Sequence, residues 1–138
     1  MSDFPLTGGC LCGGVRYEVT EPPVSAGYCH CTRCQRRTGT AASAQARLAP
    51  GSFHILSGAE LVREYTPSDG FLKCFCASCG SALWSKDPEH DEVMSVRLGT
   101  FDPGHGVRPQ FRAFTHYAAE WEPIPDDGLE RTAEAKLR

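Results

Sequence analysis

The chain has little that is long and apolar. None of its 138 residues fall in a run approaching the roughly 18 consecutive apolar residues of a membrane-spanning helix, so no membrane partner is expected. It has no excess of positive charge. With 14 Lys and Arg against 17 Asp and Glu, the net charge is −3, which argues against a general nucleic-acid binder. The opening residues Met1-Ser2-Asp3-Phe4-Pro5 show no basic segment leading into an apolar stretch. An export signal is therefore not visible, and a cytoplasmic location is expected. Helical periodicity is scarce as well. The apolar fraction of 41% and charged fraction of 22% are ordinary, which excludes wholesale disorder. Cysteine is the exception, with 8 residues. Where thiols stay reduced, dense and patterned cysteine reads as metal ligation before disulfides.

The cysteines fall in three clusters: Cys10-Leu11-Cys12, Cys29-His30-Cys31-Thr32-Arg33-Cys34, and Cys74-Phe75-Cys76-Ala77-Ser78-Cys79, the last followed by Gly80. Residues i and i+2 of an extended chain face the same way, so Cys-x-Cys aims two thiolates at one point. Cys-x-x-Cys does so in a turn, and a following Gly relieves crowding where amides turn toward sulfur. A redox use of Cys-x-x-Cys needs a helix after it, in a βαβ setting. Here Gly80-Ser81-Ala82-Leu83-Trp84 reads as a turn into a strand. Tetrahedral thiolate sites favour zinc. Cys10 and Cys12 with Cys76 and Cys79 supply the four ligands of a structural site. Cys29, Cys31 and Cys34 supply three from one tight loop, the ligand number of a catalytic zinc with an exchangeable fourth position. Spacing leaves open which clusters share a metal, because Cys31 and Cys34 also complete a four-thiolate set with either other pair.

Turn signals recur at short intervals: Glu21-Pro22-Pro23, Ala49-Pro50-Gly51, Ser57-Gly58, Pro67-Ser68-Asp69-Gly70 and Asp102-Pro103-Gly104. Between them lie short alternating runs, clearest in Val15, Tyr17 and Val19 and in Met94, Val96 and Leu98. Phe53-His54-Ile55-Leu56, Leu61-Val62-Arg63-Glu64-Tyr65 and Phe111-Arg112-Ala113-Phe114 also read as strands. The spacing predicts an all-β sandwich or open barrel. One helical turn is expected around Thr32 to Thr38, and the charged tail from Asp126 to Arg138 reads as a frayed helix or as disordered. No linker divides the chain, so a single domain over 1–138 is expected.

At these residues the sequence resembles the glutathione-dependent formaldehyde-activating (GFA) family, which is related to centromere protein V. The resemblance is carried by Gly8-Gly9-Cys10-Leu11-Cys12-Gly13-Gly14-Val15-Arg16-Tyr17, by Cys29-His30-Cys31-Thr32-Arg33-Cys34-Gln35-Arg36-Arg37-Thr38-Gly39, by Phe75-Cys76-Ala77-Ser78-Cys79-Gly80-Ser81 and by Gly99-Thr100-Phe101-Asp102. It runs from about Gly8 to Asp127, leaving 128–138 as a tail. It implies a β-tent, two twisted antiparallel sheets meeting over zinc. It implies two Zn2+ per chain, a structural one on Cys10, Cys12, Cys76 and Cys79 and a catalytic one on Cys29, Cys31 and Cys34. It implies carbon–sulfur lyase chemistry, in which glutathione or another thiol combines with an aldehyde such as formaldehyde. The chain is short for a family member that contacts glutathione through extra segments. It also departs from the pattern near the C-terminus, where Arg112 and Tyr117 stand in place of a His and a Ser while Trp121 is kept.

A zinc-bound thiol loses its proton near neutral pH, because the cation stabilises the anion. Three thiolate ligands weaken the zinc as a Lewis acid, which favours thiol delivery over carbonyl polarisation. Arg33, Arg36 and Arg37 adjoin the second cluster, and arginine forks suit the two carboxylates of glutathione. The plainer role for these arginines is to balance thiolate charge or face water. Lys73 adjoins the third cluster and can serve the same purpose. Cys74 is the first candidate for a fourth protein ligand that would close the second site, ahead of His116 and His30, although alternation gives it the face of Cys76. His30 is expected to orient its loop through a hydrogen bond, and Trp84 and Phe75 to shield the third cluster's metal. Two other functional readings stand beside the lyase. One is a zinc-stapled β module that binds without turnover. The other is a thiol redox enzyme in the manner of methionine sulfoxide reductases, with Cys29 or Cys74 as nucleophile. Apolar edge strands make a homodimer an expectation.

Overall fold

A computed structural model of the chain describes residues 4–134, and short strands make up most of it. They are β1 (Leu6–Gly9), β2 (Arg16–Val19), β3 (Ser25–Cys29), β4 (Ser43–Arg47), β5 (Phe53–Ser57), β6 (Val62–Tyr65), β7 (Leu72–Cys76), β8 (Ala82–Asp87), β9 (Glu92–Arg97), β10 (Phe111–Ala113) and β11 (Glu130–Arg131). One α-helix, α1 (Thr32–Thr38), lies between β3 and β4 where the sequence predicts it. Among the described residues no helix is long and apolar enough to cross a membrane.

Two sheets form, as the all-β expectation requires. The smaller has the order β1-β2-β5 and the larger the order β11-β10-β3-β4-β9-β8-β7-β6. All pairings are antiparallel except at one edge, where β10 runs parallel to β3 and β11 parallel to β10. The tail residues 128–134 thus depart from the expected frayed helix or disorder. Glu130 and Arg131 pair with Phe111 and Arg112, and the carbonyls of Thr132 and Ala133 accept from the amides of Thr115 and His116. Both β11 residues are exposed, so no apolar alternation marked the strand in the sequence. Residues 135–138 of that expectation lie outside the described residues.

The core lies between the sheets. One register row across the larger sheet, Ala26-Ala46-Val96-Trp84-Cys74, is buried throughout. Tyr17 and Phe53 of the smaller sheet meet it through aromatic contacts. The Tyr17 ring lies 5.9 Å from Trp84, and Phe53 lies 4.8 Å from Trp84, both edge-on. Trp84 is therefore a core residue, in the same buried cluster as Cys76, against which Cys10 and Cys79 pack. Phe75, between the buried Cys74 and Cys76, is turned to the exposed side of its strand.

The Gly99–Asp102 segment closes the smaller sheet onto the larger. Thr100 Oγ1 donates to the Arg97 carbonyl at 2.7 Å, which leaves it to accept from the Tyr17 hydroxyl at 2.6 Å. Asp102 accepts from Thr7 Oγ1 at 2.6 Å and from both terminal nitrogens of Arg16 at 3.0 and 2.6 Å. Gly8 pairs with Phe101, and a Cβ there would sit 2.4 Å from the Thr100 carbonyl oxygen, so only glycine fits. The Arg16 and Thr7 hydrogen bonds hold the Asp102 carboxyl below its usual pKa. Its stabilisation is complete above the ordinary carboxylate range near pH ~4 and fades as pH falls through the lower folded value. Asp102→Asn is accordingly expected to lower the unfolding midpoint at neutral pH and to flatten its fall on acidification. Thermal unfolding of both proteins from about pH 7 to about pH 3 checks this.

Candidate metal centres and the adjoining pocket

Cys10 and Cys12 sit in the turn between β1 and β2. The turn closes through the Cys10 amide on the Val15 carbonyl at 3.2 Å and the Gly13 amide on the Cys10 carbonyl at 3.1 Å. Cys76 ends β7, and Cys79 lies in the turn into β8, where Gly80 takes φ 78° and its amide reaches the Cys76 carbonyl at 2.8 Å. The Leu11 amide donates to Ser81 Oγ at 3.0 Å and docks one turn on the other. The four sulfurs lie within 4.8 Å of one another. Cys10 and Cys12 are 3.5 Å apart and Cys12 and Cys76 3.9 Å. A tetrahedral ion at about 2.3 Å from each sulfur sets sulfur–sulfur edges of roughly 3.8 Å, so the group fits zinc. The Ser81 hydroxyl and amide draw the Cys79 thiol down to about 5, which readies a thiolate.

The second group is local. Cys29 closes β3, Cys31 caps α1, and Cys34 lies in the first helical turn, its amide donating to Cys31 Sγ at 3.3 Å. Gln35 fastens the helix to its surroundings through Nε2, which donates to the carbonyls of His30 and Tyr117, each at 2.8 Å. Gly39 ends the helix in the left-handed conformation. The three sulfurs lie within 4.8 Å of one another. The Cys34 sulfur, then burial, pushes the Cys29 thiol up. Three thiolates this close ionise together only against a cation, which is the chemistry of a metal ligand set. The same neighbourhood holds buried polar atoms without partners, His30 Nδ1 beside Cys29 and Ser43 Oγ opposite it in the β3–β4 register.

Among the described residues no fourth His, Cys, Asp or Glu joins this second group. Cys74 belongs to neither group. It points into the core between the sheets, whereas Cys29 and Ser43 occupy the other face of the larger sheet. Burial, then the Glu64 charge, pushes its thiol up to about 11, which suits a packing residue better than a nucleophile. His30 is buried as an orienting residue. Arg112 Nη1 meets its Nε2 at 3.1 Å, and its own amide reaches the Ala113 carbonyl at 3.0 Å. Burial, then the Arg112 charge, lowers the His30 pKa. Arg112, one of the departures noted in the sequence, also lies over the Tyr28 ring at 4.2 Å and pairs with Asp127 at 2.8 Å.

A cavity of about 520 Å³ opens beside the three cysteines. One wall is α1, whose Arg33, Arg36 and Arg37 stand at i, i+3 and i+4 on one helix face. The other wall is the end of β6 with Tyr65 and the β6–β7 connection with Pro67, Ser68 and Asp69, and Phe114 joins the lining. Arg33 Nη1 donates across the rim to the Asp69 carbonyl at 3.3 Å. Lys73 also lines this cavity and not the four-cysteine group beside which the sequence places it. The reason is strand alternation, since Lys73 faces opposite to its neighbour Cys74. Tyr65, Asp69 and Phe114 were missed in the sequence, where the first two belonged to a strand and a turn with no sign of what they face.

Comparison with known proteins agrees with this arrangement. The sequence pattern of the family described as glutathione-dependent formaldehyde-activating enzyme matches residues 5–117. A Halomonas elongata protein, provisionally named a glutathione-dependent formaldehyde-activating enzyme, is 33% identical over 103 residues, covering 70% of this chain and 66% of that protein. The match thus spans just under two thirds of the relative. A crystal structure of a Rhodobacter sphaeroides protein is 29% identical and superposes with a TM-score of 0.53, covering 75% of this chain and 91% of that one. Metal analysis tests the two groups separately. Cys12→Ser is expected to lose one metal and lower the unfolding midpoint by about 10 °C, whereas Cys31→Ser loses the other and unfolds near the wild type.

Proposed function

Because the chain belongs to the glutathione-dependent formaldehyde-activating enzyme family, we propose that it is a carbon–sulfur lyase joining a carboxylate-bearing thiol such as glutathione to a small aldehyde. The observation that carries this reading is the cavity, which brings the three sulfurs of Cys29, Cys31 and Cys34 and the cations Arg33, Arg36, Arg37 and Lys73 onto one space. Cys10, Cys12, Cys76 and Cys79 hold a structural zinc, and Cys29, Cys31 and Cys34 a catalytic one. When bound, the catalytic zinc supplies the charge that keeps a thiol ionised at neutral pH.

The remaining work falls to the protein. The arginines on α1 take the substrate carboxylates in forked hydrogen bonds, with Lys73 adding charge from the opposite wall. Holding the carboxylates at a fixed place sets where the substrate sulfur lies and makes its encounter with the aldehyde effectively intramolecular. Tyr65, Pro67 and Phe114 cover the apolar part of the substrate and limit water. The substrate sulfur bonds to the aldehyde carbon, the carbonyl π bond breaks onto oxygen, and the proton the thiol gave up ends on that oxygen. The product is a hydroxymethyl thioether, and the reverse direction cleaves its carbon–sulfur bond.

Exchange between glutathione and formaldehyde, followed by NMR with and without protein, is expected to accelerate when both metals are bound. No acceleration in that state would overturn the formaldehyde form of the proposal. Arg36→Gln and Arg37→Gln are expected to raise KM for glutathione roughly ten-fold, the cost of one charged hydrogen bond, while leaving KM for 2-mercaptoethanol nearly unchanged.

A further inference from the structure

The face of the larger sheet that carries Cys29 also carries an arginine without a conventional partner. The register rows place Cys29, Ser43, Gln45, Arg97, Ser85 and Lys73 on this one face. Arg97 ends β9 with 6% of its surface exposed. Among the described residues it pairs with no carboxylate. Its Nη1 donates to Gln45 Oε1 at 3.0 Å and its Nη2 to Ser85 Oγ at 2.9 Å, both neutral, and its Nε is buried with no partner. Ser43 Oγ, opposite Cys29, is a second buried group without one. A guanidinium taken out of water is strongly destabilising unless an anion answers it. Burial, then the Arg37 charge, lowers the Arg97 pKa, and the thiols of Cys34, Cys74 and Cys29, in that order, act the other way.

We infer that Arg97 is the counter-cation of the three-cysteine metal centre, a positioning residue that acts through the thiolates of Cys29 and Cys34 to let that centre take an anionic thiol ligand. The inference rests on the metal reading of that cluster. Three thiolates around a divalent ion leave one net negative charge, and an incoming thiolate makes it two. In a half-buried site that charge repels the very ligand the reaction needs. A fixed cation on the same sheet face offsets it, and Gln45 and Ser85 hold the guanidinium without neutralising it. A carboxylate at position 45 or 85 would satisfy Arg97 equally well as a structural group, but would remove its charge from the metal centre.

That contrast supplies the test. Gln45→Glu is nearly isosteric and gives Arg97 its own carboxylate. Zinc affinity is measured by chelator competition, and thiol affinity by titrating the cobalt(II)-substituted protein with 2-mercaptoethanol and following the sulfur-to-cobalt charge-transfer band. Q45E is expected to bind the second metal equivalent about 10-fold more weakly or worse, with the first equivalent and the unfolding midpoint unchanged, and to bind 2-mercaptoethanol more weakly. Arg97→Lys, which keeps the charge, stays closer to the wild type than Arg97→Met. Equal second-metal and thiol affinities in Q45E and the wild type would overturn the role of Arg97. A wild type that takes only one metal equivalent would overturn the metal reading of the cluster, and the inference with it, and is distinguishable because no second affinity exists to compare.

Discussion

Sulfur anions repel one another, and this fold gathers cysteine sulfurs into two groups whose members lie within 4.8 Å. That constraint organises the rest. The four-cysteine group takes one pair from the β1–β2 turn of the smaller sheet and one from the β7–β8 turn of the larger, so a metal there is a cross-link between sheets. It closes a long loop, and the entropy of that closure is removed from the unfolded chain when the metal binds. The three-cysteine group is drawn from a strand end, a helix cap and a first helical turn, and needs no distant partner. One group therefore serves the architecture. The other is left at the surface, where a pocket adjoins it.

The same division shows in the charges. The four-cysteine group is steadied by dipoles, with the Val15 amide on Cys10 Sγ at 3.3 Å and the Ser81 hydroxyl 3.2 Å from Cys79 Sγ. The three-cysteine group has an amide dipole of its own, the Cys34 amide on Cys31 Sγ at 3.3 Å, and adjoins a cavity that adds the whole charges of Arg33, Arg36, Arg37 and Lys73.

Cysteine spacing made both cysteine groups legible in the sequence once the family resemblance had chosen among the possible pairings, because the approach of sulfurs within a turn is a local property. Alternation made β2 and β9 legible for the same reason, and the short apolar runs between turn signals did so for β5, β6 and β10. Which face of a strand looks at what is not local. Lys73 and Cys74 could be assigned opposite faces from sequence, but only the order of the larger sheet shows that one face is the intersheet core and the other the pocket. That order also returns Trp84 to the core and leaves Cys74 in no metal group. β11 escaped notice because a two-residue exposed edge strand has no buried side to pattern. Arg97 reads in the sequence as the polar member of an alternating strand, and its burial follows from long-range pairing alone.

The two walls of the pocket are built under unequal constraint. Along α1, a seven-residue helix with Cys31 as its cap, Cys34 sits between the cavity-lining Arg33 and Arg36, so a change of pitch there would move sulfur and arginines together. The β6–β7 connection contributes Pro67, Ser68 and Asp69 and none of the grouped cysteines. Its residues Pro67, Ser68 and Asp69 lie outside the paired strands, so changes among them do not alter the β6–β7 register. Variation in the shape of the pocket therefore has an unencumbered place to occur, and chimeras that exchange this connection between relatives would change one wall while keeping both cysteine groups in place.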